Sequence, residues 1–335
     1  MNLLYKEPSK KTKEAMEETI KDSLKFENKN NNDNDVKAKI CSKTNHSYCE
    51  IVNSGNAAIM VAMNAIKGPI IIPDQGAWHG FKQIAKFLNK EILTIKTDLG
   101  IINQEKLDEF LEKNPSINSN ETSAIFLTSF AGYTAEQPIK EISNWSREND
   151  ITLVEDASGG ICDFEKKLAN GKYSDIIIVS TSSPKVINVN DGGFITTNNK
   201  EIFEKSKLLL KVCKSNNITK KAIHTEIDFA ENNLKKTIQA TSYIKNNLDN
   251  VIHQDKRGTN VILNSDNHHE LSKNLKEEFD LAGRTFITKC PNYNRVKQKG
   301  IAIEIKNLDT KSLEKENLDE IIRIVKKYQR KKIKR

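Results

Sequence analysis

Long apolar runs are missing from this 335-residue chain. None approaches the roughly eighteen consecutive apolar residues of a membrane-spanning helix, so no span is expected. The opening MNLLYKEPSKKTKEAMEE lacks the apolar core of a secretory signal. Cysteines are few and scattered: Cys41, Cys49, Cys162, Cys213 and Cys290. No two have the close spacing of a zinc knuckle, and their odd number argues against a disulfide framework. No histidine cluster accompanies them, so no metal site is expected. Arginine is scarce beside lysine, and no internal repeat is visible. The expectation is a cytoplasmic protein with reduced thiols and no membrane contact.

The chain carries a formal charge of +8, with many Lys and Asn residues. A basic surface that binds nucleic acid is one reading. The favoured reading is solvated lysines on helix surfaces, because glutamates interleave with most of them. The exception is RKKIKR, Arg330 to Arg335. It reads as a fraying helix end whose charge suits the helix dipole.

Residues up to about Asp35 are weakly apolar and end in KNNNDND, which suggests a loose or partly helical arm. From about Ile51 to Asn198, short apolar runs alternate with helical stretches. PIIIP, EILTIKT, SAIFLTSF, ITLVED, SDIIIVS and GGFITT read as strands. GFKQIAKFLN, NQEKLDEFLEKN and EQPIKEISNWSREND read as helices. Such alternation with nearly continuous apolar strands predicts a mainly parallel α/β sheet sandwiched by helices. Beyond Asn199 the chain turns long-helical. TNVILNS, GRTFITK and GIAIEIKN then read as strands, with helical patterns near Glu270–Phe279 and Asp319–Tyr328. The expected organisation is an N-terminal arm over 1–45, a large α/β domain over 46–235 and a small α+β domain over 236–335.

Ligands of parallel sheets bind at the carboxyl ends of the strands, and three such ends hold unusual groups. Ser54-Gly55-Asn56 opens the helical run AAIMVAMNAI. Backbone N–H groups at a helix start, beside its positive dipole end, form an anion site. Ser and Asn are equally ordinary N-caps. Glu155 and Asp156 end the strand of LVEDASGG. Consecutive strand residues face opposite ways, so one carboxylate faces a ligand cation or a loop N–H while the other turns away. Lys185 stands in STSSPKVINVNDGGF, with Asp175 and Asp191 as its nearest charged neighbours in sequence. Burial near cations or apolar walls would lower its pKa and make the amine nucleophilic toward carbonyls. The alternative is one more surface lysine.

An anion cup, a carboxylate and an amine in that order are the groups that pyridoxal phosphate requires. They serve its phosphate, its pyridinium nitrogen and its aldehyde. The ordered motifs SGNAA, EDAS, STSSPK and DGG cover nearly half the chain. Residues 50–198 resemble fold-type I pyridoxal-phosphate enzymes, and among them the DegT/DnrJ/StrS aminotransferases. The resemblance implies that Lys185 forms the internal aldimine and then moves the substrate α-proton, and that Asp156 pairs with the pyridinium. It implies that Ser54, Gly55, Asn56 and Ser180 cradle the phosphate, with Ser182 assisting. It also implies an aromatic stacked on the ring from PDQGAWHGF, with Trp78 as first choice and His79 as second. Asn56 stands where the family has Thr, Thr181 where it has an aromatic, and Gly159 where it has Gln or His. Ser158 is the candidate to replace that last contact to the cofactor's phenolic oxygen.

The implied activity moves an amino group from an amino-acid donor to a keto acceptor, such as a sugar nucleotide. Arg295 and Arg284 are the candidates to grip the donor carboxylate, since arginine meets carboxylates through a bidentate fork. Two other readings remain open. One is a pyridoxal-phosphate lyase or desulfurase using a cysteine such as Cys162. The other is a catalytically silent relative that binds RNA or a protein. By the same resemblance the chain is expected to form a homodimer.

Overall fold

The computed structural model describes residues 3–24, 33–115, 117, 121–279, 281 and 283–330. In chain order the first elements are α1 (Lys10–Leu24), α2 (Asp33–Thr44), β1 (Tyr48–Val52), α3 (Gly55–Ala65), β2 (Ile70–Pro73), α4 (Gly80–Phe87) and β3 (Ile92–Ile95). Next come α5 (Gln104–Lys113), β4 (Ala124–Thr128), the short pair β5 (Phe130–Ala131) and β6 (Ala135–Glu136), α6 (Ile139–Glu148), β7 (Thr152–Asp156), β8 (Ile176–Ser180) and β9 (Gly193–Thr197). The chain continues through α7 (Glu201–Lys205), α8 (Lys207–Val212), α9 (Asn217–Asn246), β10 (Val261–Asn264), α10 (His268–Glu278), β11 (Ile287–Cys290), β12 (Gly300–Ile303) and α11 (Lys315–Arg330).

Seven strands form one sheet in the order β1-β9-β8-β7-β4-β2-β3. The pairs β2–β3, β2–β4, β4–β7 and β7–β8 are parallel, and β9 runs antiparallel to both β8 and β1. The near-continuous apolar strands have the predicted cause, because both faces are covered. Ile71, Ile125, Leu153, Ile177 and Val179 join one core cluster, while Ile70, Ile72, Phe126, Val154, Ile176 and Ile178 join another. Alternate residues of one strand thus serve opposite faces. A second sheet of three antiparallel strands, in the order β10-β12-β11, packs with α10 and α11 around its own core cluster. Helix α9, capped by the Asn216 side chain on Thr219 N–H, contributes to both cores.

The strand β1 begins before the region read as sheet. As an edge strand its outer residues, Tyr48 above all, are exposed, so its apolar content is diluted. The N-terminal arm contains two helices, α1 and α2, both packed on α9. Ahead of them Tyr5 bridges to Leu308, and Lys6 N–H donates to the Asn307 carbonyl. The residues ahead of α1 thus dock beside the second sheet, while α2 packs on β1 of the large sheet. The KNNN part of the arm signal and residues 331–335 of the basic tail lie outside the described residues. No helix among the described residues is long and apolar enough to cross a membrane.

Candidate active site

The parallel order brings the carboxyl ends of β1, β2, β4, β7 and β8 to one edge of the sheet, where they line a cavity of about 350 Å³. Ser54, Gly55, Asn56, Trp78, Asp156, Ser158, Ser180, Ser182, Lys185 and Arg295 all face this cavity. His79 and Arg284 do not. His79 is exposed, and its ring meets Tyr293 edge-on at 5.8 Å. Arg284 stacks over Tyr5 at 4.8 Å, beside the N-terminal arm. It lies outside the lining of this cavity and borders a separate groove with the N-terminal residues.

At the cup, Ser54 Oγ accepts the Ala57 N–H at 3.1 Å and so caps α3. The following Gly55 meets Ser180 closely. A Cβ at Gly55 would lie 2.5 Å from the Ser180 Cβ, so only glycine lets the helix start approach the end of β8. Asn56 accepts the Trp78 indole N–H at 3.0 Å, which ties the Trp78 ring to the cup. Ser180 and Ser182 share a hydroxyl bond of 2.9 Å.

At the end of β7 the two carboxylates separate as the strand pleat requires. Glu155 turns away and is fully buried, accepting from Ser129 Oγ, Ser174 Oγ and Ala169 N–H. Burial pushes its pKa up, against the pull of those donors. Asp156 turns into the cavity. Its Oδ1 accepts the Ser158 N–H at 3.0 Å and the Ser158 hydroxyl at 2.5 Å, while Oδ2 takes no protein hydrogen bond among the described residues. Ser158 Oγ in turn accepts the Ser180 N–H at 2.8 Å. The Ser158 hydroxyl is therefore a strut between the ends of β7 and β8, and its proton is committed to Asp156.

Lys185 projects from the turn after β8, and its Nζ donates to the Tyr133 hydroxyl at 2.7 Å. The expected depression of its pKa does not occur. Burial pulls it down, but the charges of Tyr133 and Asp156 and the hydrogen bond outweigh burial and leave it raised. A lysine amid cations would have behaved as expected; this one also faces a carboxylate and a phenol.

Tyr133, Asn294, Lys306 and Glu304 complete the site and escaped the sequence reading. Tyr133 follows β4 in FAGYTAE, another strand end of the same sheet, so the carboxyl-end rule was the available signal. Lys306 and Asn294 line the cavity from the second sheet's side. Arg295 reaches the cavity already held. Its Nε and Nη2 donate to Glu304 at 2.6 and 2.9 Å, and Nη1 donates to the Asn294 carbonyl at 2.7 Å. By valence one N–H remains on each Nη, which forms an outer edge able to meet a carboxylate. Cys162, the thiol considered for desulfurase chemistry, lies outside the cavity, and burial pushes its pKa up to about 12.

Residues 8–251 match the model of the DegT/DnrJ/EryC1/StrS aminotransferase family. The chain belongs to that family. Residues 231–326 match a second model, the MJ1341 family C-terminal domain. Among curated relatives, a UDP-4-amino-4,6-dideoxy-N-acetyl-beta-L-altrosamine transaminase of Campylobacter jejuni subsp. jejuni (strain 81-176) is 30% identical over 188 residues, covering 55% of this chain and 47% of the relative. The chain thus spans about half the length of the curated relatives it matches. Among solved structures, Helicobacter pylori PseC, an aminotransferase involved in the biosynthesis of pseudoaminic acid, superposes with a TM-score of 0.75 at 14% identity, covering 98% of this chain and 99% of PseC. A DegT DnrJ EryC1 StrS aminotransferase from Brucella abortus gives a TM-score of 0.70 at 12% identity, covering 95% of both chains. These superpositions establish the fold, a fold-type I α/β architecture.

Proposed function

We propose that this family member is a pyridoxal-phosphate-dependent aminotransferase that passes an amino group from an amino-acid donor to a keto acceptor. The observation that carries this reading is the meeting of Lys185 and Asp156 in one cavity with the Gly55–Ser180 cradle. The donor set fits the cofactor. The cradle has the close backbone approach that a phosphate needs, Asp156 keeps one carboxylate oxygen free, and Lys185 supplies a half-buried amine at the cavity wall.

When bound, pyridoxal phosphate supplies an aldehyde for an amine and a ring that accepts an electron pair from the substrate. The residues of this chain do the remaining work. Gly55, Asn56 and the Ser180–Ser182 hydroxyl pair would receive the phosphate at the start of α3, where the dipole is positive. Asp156, oriented by Ser158, would hold a cationic ring nitrogen. Trp78, tied to Asn56, lines the cavity as the aromatic that would stack on the ring. Lys185 would offer its amine to the cofactor's aldehyde and would hold the proton exchanged at the substrate's α-carbon. Arg295, fixed by Glu304, presents its outer edge to the donor carboxylate.

The acceptor reading follows the curated relatives, whose names specify transaminases of a UDP-linked amino sugar. A UDP-linked keto sugar is therefore the first acceptor to supply. The decisive experiment adds pyridoxal phosphate to purified protein and then glutamate. The expected result is a visible cofactor band that glutamate bleaches to the pyridoxamine form, and that is absent in Lys185→Ala. A protein that stays colourless with excess cofactor refutes the proposal, and release of pyruvate or sulfide without the pyridoxamine form replaces it with lyase chemistry.

A further inference from the structure

Tyr133 is the group closest to Lys185 that the proposed function leaves without a task. Its hydroxyl accepts from Lys185 Nζ at 2.7 Å, and its ring is half-buried at the junction of the two sheets. Its backbone carbonyl accepts the N–H groups of Thr259 and Asn260 at 2.8 and 2.9 Å. Its ring lies where a side chain at Gly159 would begin, since a Cβ there would stand 3.0 Å from the Tyr133 Cε1. Phenol, backbone and ring are all held, so the oxygen has one place to be.

The charged groups facing this oxygen come from every element around it. Lys185 approaches from the turn after β8, Arg295 from the loop before β12 and Lys306 from the turn after it. Their cationic groups lie 5.2, 4.9 and 4.8 Å from the ring centroid. Lys6 of the N-terminal arm lines a water-sized cavity against the same ring, together with Lys185 and Lys306. On the anionic side stand Asp156, at the end of β7, and Glu304, which holds both Arg295 and Lys306. Burial raises the phenol's pKa, but Lys185, Lys306 and Arg295 together overcome burial and Asp156 and leave it lowered. The pKa of Lys185 moves the other way. The two shifts therefore act in one sense: the shared proton rests on Lys185, and the Tyr133 oxygen is the acceptor that the 2.7 Å hydrogen bond already engages.

We propose that Tyr133 is the resident proton partner of Lys185. Once the phenol has lost its own proton to solvent, its oxygen forms an O–H bond as the Lys185 ammonium N–H bond breaks, which leaves a neutral amine able to attack an aldehyde. The same proton returns to nitrogen when the lysine is set free. One proton moves, and no electrons leave the pair. The inference rests on the reading of Lys185 as the cofactor lysine, yet it can be tested without cofactor.

Cofactor-free protein is titrated with alkali while tyrosinate absorbance is followed in wild type, Tyr133→Phe and Lys185→Met. In wild type one phenolate should form on the acid side of the other tyrosines. That signal should vanish in Tyr133→Phe and move to higher pH in Lys185→Met, with circular dichroism unchanged. Should Tyr133→Phe fail to fold, the Lys185→Met shift decides alone. An early signal that survives Tyr133→Phe, or one indifferent to Lys185→Met, overturns the proposal, because a tyrosine that only packs would not feel the lysine's charge. Loss of the visible cofactor band in wild type would refute the aminotransferase reading and leave this titration standing.

Discussion

Replacing Glu304 by Gln tests the electrostatic frame of the site. The carboxylate is 1% exposed. It accepts from Arg295 Nε and Nη2, from Asn260 Nδ2 at 2.6 Å, and lies 3.2 Å from Lys306 Nζ. Burial alone would raise its pKa, but Arg295 and Lys306 hold it down at about 2. A carboxyl lowered to about 2 from its ordinary 4.5 contributes about 3 kcal/mol of stability at neutral pH. Removing one partner of a buried ion pair costs about 3–5 kcal/mol, because the remaining charge stays buried and uncompensated. Here two cations are left, so Glu304→Gln should lose at least about 3 kcal/mol at pH 7 in urea unfolding. The sign with pH follows from the lowered pKa. The contribution is complete above the ordinary carboxylate range and is lost as pH falls toward about 2, so wild type and variant should converge on acidification. Arg295 would also lose its orientation, which should raise the KM for the amino donor more than it lowers kcat. A variant within about 0.5 kcal/mol of wild type at neutral pH, with a gap indifferent to pH, refutes the reasoning.

Lys245 is fully buried, and its Nζ donates to the carbonyls of Thr134, His253 and Lys256 at 2.6, 2.7 and 2.8 Å. Lys245→Met takes the donor from all three, of which His253 keeps the Lys256 N–H at 3.2 Å, and should cost about 1–3 kcal/mol, read from the urea midpoint and from faster proteolysis near 253–258. Burial lowers the Lys245 pKa to about 8, so wild type should gain stability relative to this variant as pH rises through that value; a constant difference would contradict the assignment. Among the thiols, Cys41 is half-buried, and its hydrogen bond from Cys49 brings its pKa down to about 7. Iodoacetamide at neutral pH should label Cys41 first by peptide mass spectrometry, before Cys290 and Cys162, which burial pushes up to about 11 and 12. Equal labelling of the three would show that the thiol pair does not persist in solution.

The sheet was legible because its strands are buried on both faces. Runs such as Ile176–Val179 have no polar residue to compromise, so their ends stand out, and Ser54–Asn56, Asp156 and Ser180–Lys185 all lie just beyond such an end. Edge strand β1 was harder to read for the opposite reason, since Tyr48 faces solvent. The two arginines looked equivalent in sequence, each near a strand of the second sheet. What separates them is docking. Arg295 sits in a turn whose Tyr293 hydroxyl donates to the Pro73 carbonyl at 2.8 Å, whereas Arg284 lies on the side covered by Tyr5. Hydrophobic periodicity predicts each sheet but carries no information on how one sheet meets another. Glu304 was invisible on the same account, because a carboxylate in GIAIEIKN reads as solvent-facing until its partners are known.

That docking also decides what kind of amine Lys185 is. The family match ends at residue 251, yet Arg295 and Lys306, two of the three cations around Tyr133, lie beyond it. The segment after 251 also anchors the Tyr133 turn. Thr259 and Asn260 hold its carbonyl, the Lys306 N–H holds Thr259, and Arg257 pairs with Asp163 and Glu165 of the loop that follows Asp156. The strand ends of the large sheet supply the cradle, the acid and the lysine. The second sheet supplies the charges that set the phenol beside that lysine. The chemistry of Lys185 is therefore a property of both sheets together, and altering Lys306 or Glu304 should change the protonation of a lysine that neither residue touches.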